Sequence, residues 1–447
     1  MTCACPMRKA CLGSILPLLL LNNMLLAQSP ITTQPYLIDL ATTLQLARAQ
    51  NLDIQIAKAQ LEEAQANYGI ATSKFLPWLT AGFSWRRHEG RTQAVDGTLI
   101  DTNKQSMSLG PSITAQVDLG DAIFTTMASK QMITASDAAL GLQQQDSSLA
   151  AVKAYFDLLK AQALIEVQQQ ALRVSETYQQ QISAGVTAGV VFKGDELRIQ
   201  TQTERFRMNV TQAEQLQAVQ STRLAEYLHL NPGISLVTQS KELIPIELIN
   251  PSSTIEQLIP KALDASPEVK QSEALAEAAL TNKKNTVYGP LIPTVGAQVF
   301  MGELGGGKNS ASSNYGNSKD YAFGLSWRLG PGGLFDFMRI KASDARLNAA
   351  KLKLEKTSES IKRQVIDAQI RIQSLTKQLS SSRITVSSAN EALRLTRERK
   401  ELGVGIVLEF IQAQQEVVRS QEEYIGVITE YNKAQYELSK LLGQLQK

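Results

Sequence analysis

Two periodicities alternate along the chain, and each occurs twice. Leu79, Ala81, Phe83 and Trp85 alternate with Thr80, Gly82, Ser84 and Arg86; Met107, Leu109, Pro111, Ile113, Ala115 and Val117 alternate with Ser106, Ser108, Gly110, Ser112, Thr114 and Gln116. A period of two gives a strand one apolar and one polar face. The pattern returns as Val295, Ala297, Val299 and Met301 against Thr294, Gly296 and Gln298. It returns again as Tyr321, Phe323, Leu325, Trp327 and Leu329 against Ala322, Gly324, Ser326 and Arg328. Four strands are thus predicted, at 78–87, 106–117, 293–302 and 320–329. Each is roughly ten residues long, enough for a tilted strand to cross a hydrocarbon core. The Ser, Thr, Gly and Gln face suits a wet lumen, and the segments 88–105 and 303–319 between strands read as polar loops.

Lipid offers no hydrogen-bond partner to an open sheet edge, so a spanning sheet must close, and the smallest closed barrels have about eight strands. Four strands per chain therefore require association. Two copies would give eight strands and three would give twelve; periodicity does not choose between them.

The second period is helical. Residues 121–184 and 334–402 contain no proline, and at about 1.5 Å per residue each helix could extend roughly 100 Å. Leu354, Ser358, Ile361, Val365, Ala368, Ile372, Leu375, Leu379, Ser382, Val386, Ala389 and Leu393 keep a 4-3-4-3 spacing, a coiled-coil seam sustained over several heptads. Each long helix ends at glycine, Gly185 to Gly189 in one case and Gly403 to Gly405 in the other, where the chain can reverse. Return helices follow at 195–230 and 409–442. Helical segments at 39–75 and 254–289 precede the strands.

The order of elements reveals an internal duplication. Ala47 matches Ala262, Asn51 matches Ser266 and Asp53 matches Glu268. Gly189-Val190 through Asp195, Leu197 and Gln200 matches Gly403-Val404 through Glu409, Ile411 and Gln414. The first repeat spans 36–231 and the second 254–445, joined by a Pro-punctuated linker at 232–253. Repeats of about 200 residues are too long for solenoid units, so this is one duplicated domain.

Composition narrows the function. Aromatics are only 6% of the chain, too few for the packed core of a typical large enzyme. Arg8 and Lys9, the apolar stretch Leu12 to Leu26 and the small Ala27 read as an export signal over 1–27. The formal charge of +3 falls to +1 without Arg8 and Lys9, so no bulk field favours nucleic acid or an anionic lipid surface. Cys3, Cys5 and Cys11 all lie within that signal, which excludes structural disulfides, cysteine zinc sites and thiol catalysis from the remainder. No cysteine directly follows the apolar run, so no amino-terminal lipid anchor is expected.

The export signal, the duplicated order of helix, two strands, long helix and return helix, and the G-x-x-x-x-x-[DE]-x-[LI]-x-x-Q turn in each copy resemble the TolC-like outer-membrane efflux proteins. The resemblance covers the chain from about Tyr36 onward. It implies an α+β membrane protein: a homotrimer with a twelve-stranded barrel in the outer membrane, continued by a long α-helical coiled-coil barrel across the periplasm. It implies as partners a periplasmic adaptor (membrane fusion) protein, an inner-membrane pump of RND, ABC or MFS type and outer-membrane lipid, with no cofactor. Glu409 takes the family's aperture carboxylate position and Asp195 its interhelix latch. Gln412 replaces a second acid, and Gly405 an arginine, found in the family's best-known member. A ring of Glu409 would attract cations, although both acids also sit where a carboxylate stabilises a helix amino terminus. Gly189, Val190, Gly403 and Val404 match the tips where adaptor hairpins dock.

Enzymatic motifs fail. Gly302 to Lys308 has the glycine and lysine spacing of a phosphate-binding loop, but Asn309 replaces the Ser or Thr that would hold magnesium and no helix follows. His88 and His229 stand far apart without metal-ligand spacing. The expected function is an exit duct for a tripartite efflux system. The alternatives are the outer component of a type I protein secretion system, built alike, and a non-channel periplasmic coiled-coil scaffold.

Overall fold

The computed structural model describes residues 36–445 apart from 50, 232, 241, 309–313 and 402–404; the expected signal at 1–27 lies outside them. The chain runs β1 (Tyr36–Ile38), α1 (Leu40–Ala49), α2 (Leu52–Ser73), β2 (Trp78–Gln93), β3 (Leu99–Asp118), α3 (Leu119–Thr187) and α4 (Lys193–Tyr227). It continues through β4 (Leu236–Thr238), α5 (Ile255–Ala265), α6 (Pro267–Tyr288), a single 3-10 turn Gly289–Leu291, β5 (Thr294–Lys308), β6 (Asn314–Ser326), α7 (Phe337–Glu401) and α8 (Val407–Leu441).

Each helical segment preceding the strands is broken into two, at matching positions. Asn51 is extended, and its side chain accepts from the amides of Asp53 at 2.8 Å and Ile54 at 3.2 Å. Ser266 caps Val269 at 3.3 Å and precedes Pro267, which disfavours helical geometry in the residue before it. A side-chain cap offers the backbone an alternative to the ladder, so the helix expected over 39–75 divides there.

Strands β2, β3, β5 and β6 form one antiparallel sheet in that order. Register sets Phe83 opposite Leu109, Leu79 opposite Ile113, Ile113 opposite Val299 and Val299 opposite Tyr321. One face is therefore apolar across all four strands, and Ser84, Ser108, Ser112 and Gln298 occupy the other. The sheet outgrows the sequence expectation. β2 has 16 residues and β3 20, because the ladder continues through the segment expected as a polar loop and turns only at Ala94 to Thr98, where Gly97 adopts φ +87°. Antiparallel backbone bonds need no apolar side chain, so pairing outlasts hydrophobicity. For the same reason Glu303 to Lys308, expected as a loop, is strand paired to β3. β6 stops at Ser326 rather than 329: Trp327 turns its ring nitrogen to the Leu291 carbonyl at 3.2 Å, and a glycine turn leads to α7.

The helices form two antiparallel pairs, α3 with α4 and α7 with α8, while α2 and α6 lie against α3. The α7 seam is buried as its spacing requires: Val365 and Ile372 are fully enclosed, and Ile361, Ala368, Leu375, Ala389 and Leu393 nearly so. Near the carboxyl end, α8 straps down the linker between repeats. Asn432 accepts from the Ile246 amide and donates to the Ile244 carbonyl, both at 2.8 Å; Gln435 accepts from Ile249 at 2.9 Å; Gln369 of α7 donates to the Pro251 and Ser253 carbonyls. These amides are buried because the linker backbone needs partners. β1 and β4 pair in parallel beside this region.

Sheet and helices meet where Gly120, in the first turn of α3, faces Gly289. A Cβ on Gly120 would lie 2.2 Å from the Gly289 carbonyl oxygen. Nearby, Asp121 accepts from Lys74 at 2.8 Å and Asn285 at 2.9 Å. The substitution Gly120→Ala is expected to destabilise the folded protein by about 1–3 kcal/mol through overpacking against backbone. A lowered thermal unfolding midpoint relative to an exposed-helix control such as Ser381→Ala is the readout.

Candidate functional site

The helical tips hold the residues that sequence matching singles out. In the first repeat α3 ends at Thr187 and the chain reverses through Gly189 at φ +76°, whose amide donates to Val186, while the Val190 amide donates to Gly185. This closure leaves Val190 79% and Phe192 75% exposed, an apolar knob at the end of the hairpin. Asp195 and Glu196 occupy the first turn of α4, where carboxylates oppose the positive end of the helix dipole.

The two acids divide their contacts. Asp195 pairs with Arg198 on its own helix at 3.2 Å. Glu196, which sequence reasoning passed over, accepts from Ser183 of α3 at 2.8 Å and from Lys193. Lys193 first and Ser183 second hold its carboxyl below the usual range. At this tip, then, the α4 carboxylate that reaches across to α3 is Glu196, and further along the hairpin Glu176 of α3 meets Arg207 of α4 at 2.9 Å.

In the second repeat Gly403 and Val404 lie outside the described residues. Beside them the Gly405 amide donates to the Arg399 carbonyl at 3.1 Å, and Glu409 in the first turn of α8 meets the Arg399 guanidinium at 3.4 Å. Gln412, one turn on, is exposed and extends away from the buried face bearing Phe410 and Ile411. No hydrogen bond or ion pair joins Glu409 to Asp195 among the described residues.

What brings the hairpins together is aromatic. Tyr178 of α3 stacks on Phe410 of α8 with ring centroids 3.7 Å apart and planes 27° from parallel, and the Arg397 guanidinium lies 5.9 Å from the Phe410 ring. Around them Ile182, Ile199, Ala389, Leu393, Val407 and Ile411 form one buried cluster from all four long helices. Two glutamines add specificity beside it: Gln414 donates to the Ala171 carbonyl at 2.7 Å and Gln415 to Gln202 at 2.8 Å. The available signal was that Tyr178 lies near the end of α3 and Phe410 near the start of α8, two aromatic positions close to the turns.

The Tyr178 hydroxyl is buried without a hydrogen-bond partner among the described residues. Burial first, and the negative charge of Asp195 second, push it up to about 12. Also among the described residues, no cluster of His, Cys, Asp and Glu could hold a metal ion, and no helix is long and apolar enough to cross a membrane.

With this geometry, comparison with known proteins is specific. The profile of the outer membrane efflux protein family matches residues 43–228 and again 258–444, once per repeat. The chain belongs to the outer membrane efflux protein family, and its work is efflux through the outer membrane. It is 22% identical over 408 residues to the antibiotic efflux pump outer membrane protein ArpC of Pseudomonas putida, a match covering 90% of this chain and 82% of the relative. Identity to the toluene efflux pump outer membrane protein TtgC, also of Pseudomonas putida, is 22% over 410 residues, with the same coverage. Among solved structures, a membrane protein from Pseudomonas aeruginosa superposes with a TM-score of 0.77 at 20% identity, covering 90% of this chain and 93% of that one. The outer membrane protein VceC of Vibrio cholerae gives 0.75 at 16% identity, covering 90% and 96%. At these identities the structures establish a shared fold.

Two outcomes follow for the aromatic clamp. Replacing Tyr178 by Phe keeps the stack and removes an unpartnered buried hydroxyl, so stability is expected to rise by about 1 kcal/mol. Because the folded state keeps the Tyr178 proton to about 12 and the unfolded chain releases it near 10, stability falls as pH rises from about 10 to about 12. Chemical unfolding of the wild type and of Tyr178→Phe at both ends of that window should show the smaller alkaline loss in the variant.

Proposed function

We propose that three copies of this chain assemble into one continuous duct, a twelve-stranded barrel in the outer membrane leading into a helical barrel in the periplasm. The observation that carries it is the sheet: four strands share an apolar face in register, yet β2 and β6 have free outer edges. In lipid those edges must be paired. A neighbouring copy supplies β6 to β2, and the resemblance to TolC-like channels supports three copies over two. The 69-residue α3 and 65-residue α7 then line a duct of roughly 100 Å.

Export by the segment 1–27 accounts for delivery to the outer membrane. At the far end, the exposed knob of Gly189, Val190 and Phe192, with Gly403-Val404 at the equivalent turn, is the docking surface for a periplasmic adaptor, which joins the duct to an inner-membrane pump. Glu409, Asp195 and Gln412 stand at the aperture. The ion pair between Glu409 and Arg399 crosses the turn between α7 and α8 and restrains it, although an exposed pair contributes little to overall stability. Relatives named for antibiotic and toluene efflux support small organic molecules as cargo.

The detergent-purified protein is expected to run as a trimer and to form small conducting pores in planar bilayers. Glu409→Ala should release the turn and raise single-channel conductance. Arg399→Gln leaves Glu409 unpaired and should increase cation preference, read from the reversal potential in a KCl gradient. Recovery of a monomeric, water-soluble protein would overturn the proposal.

A further inference from the structure

The sheet register sorts charge between its two faces at the end remote from the helices. On the face continuous with the apolar band, charges are mixed and paired: Arg87 meets Glu89, and Arg91 lies 3.6 Å from Asp101. The other face, which carries Thr80, Gly82 and Ser84 and lines the lumen of a closed barrel, differs. There Arg86 stands opposite Ser106, and two residues further His88 stands opposite Lys104. The row continues onto β5, where Lys308 occupies the register position beside Lys104.

Arg86 and Lys104 lack neutralising neighbours. Among the described residues neither Arg86 nor Lys104 forms an ion pair, and His88 shares a 2.7 Å hydrogen bond with the Thr92 hydroxyl. The acid nearest along the same face, Asp320, is opposite Phe300 and hence level with Ser112 and Thr80. That is six residues down β2 from Arg86, roughly 20 Å at about 3.3 Å per residue. Asp118 stands at the opposite end of the sheet, heading α3, and Asp96 lies in the outer turn with its carboxylate bonded to Thr98.

We propose that the outward mouth of the barrel carries a basic collar, built from Arg86 and Lys104, that binds multivalent anions at the exit of the duct. The proposal rests on the trimeric-duct reading above, since only closure turns this face inward. Twelve strands about 4.8 Å apart and tilted about 40° give a backbone radius of about 12 Å. Physiological screening acts over about 8 Å, and long basic side chains reach well into that radius. Every ion leaving the duct therefore passes within the field of the collar. A charged ring within low-dielectric walls concentrates counter-ions by about tenfold or more. A singly charged anion exchanges rapidly through such a ring, whereas a multivalent one bridges several cations and lingers. The collar is thus opposite in sign to the Glu409 end, and it acts on what approaches from outside as much as on what leaves.

The test is sided block of single pores in planar bilayers, with inorganic pyrophosphate as the probe at fixed pH. Pyrophosphate added at the barrel side should reduce current at a concentration about tenfold lower than at the helical side, and raising KCl should weaken the block. The double variant Arg86→Gln, Lys104→Gln should raise the half-blocking concentration about tenfold while leaving trimer yield unchanged. The charge-preserving Arg86→Lys, Lys104→Arg should retain block, which excludes a merely structural role for these positions. Conducting pores whose block is equal from both sides, or unchanged in the Gln variant, overturn the collar alone. A chain that forms no trimeric pore overturns the duct and the collar with it.

Discussion

Four strands that, as proposed, bury an apolar face in lipid leave a row of backbone donors and acceptors along β2 and another along β6. Water can satisfy such rows and a hydrocarbon interior cannot, at a cost of several kcal/mol per group. The remaining features of the molecule are consistent with that constraint. The duplication supplies two hairpins that pair with each other through β3 and β5, so each chain contributes a curved panel. Small residues on the polar face, Gly82, Ser84, Gly110 and Ser112 among them, would leave the space inside the proposed barrel open to water. In the proposed trimer the panels complete each other, and the helices emerging from them must form a ring of matching symmetry.

That demand explains the joint. Two chain segments leave the sheet toward the helices within a confined space, and Gly120 against Gly289 permits a separation that any side chain would prevent. The polar contacts of Asp121 with Lys74 and Asn285 then tie α3 to α2 and α6. Coupling here fixes the direction in which helices about 100 Å long leave the sheet.

At the tips the priorities reverse. The cluster around Tyr178 and Phe410 is small, includes residues from all four long helices, and lies next to half-exposed ion pairs rather than beneath a thick core. An aromatic stack gives a well-defined contact over a short length of helix, while the ion pairs at its border are individually weak. A tip held by a few separable contacts suits the aperture proposed there. The strapped linker near the other end of α8 is held by buried amides that leave no such freedom.

Much of this was legible in the chain before any coordinates. Period-two alternation located the strands and named their apolar face, since side-chain direction in a strand depends only on residue parity. The α7 seam and the duplication were equally local, and the membrane's demand for closure required no structure to state. What lay beyond pattern were contacts between distant segments. The extension of β2 and β3 through a polar stretch depends on backbone pairing, which hydropathy does not register. The same holds for Glu196 reaching from α4 to Ser183 of α3, for Arg399 partnering Glu409, and for Tyr178 meeting Phe410 across more than 200 residues of sequence. Parity and periodicity are properties of neighbours along the chain, and the sequence alone determined them. Which cations align in one row, and which acid meets which base, depends on register and helix rotation, and those were decided only when the chain packed against itself.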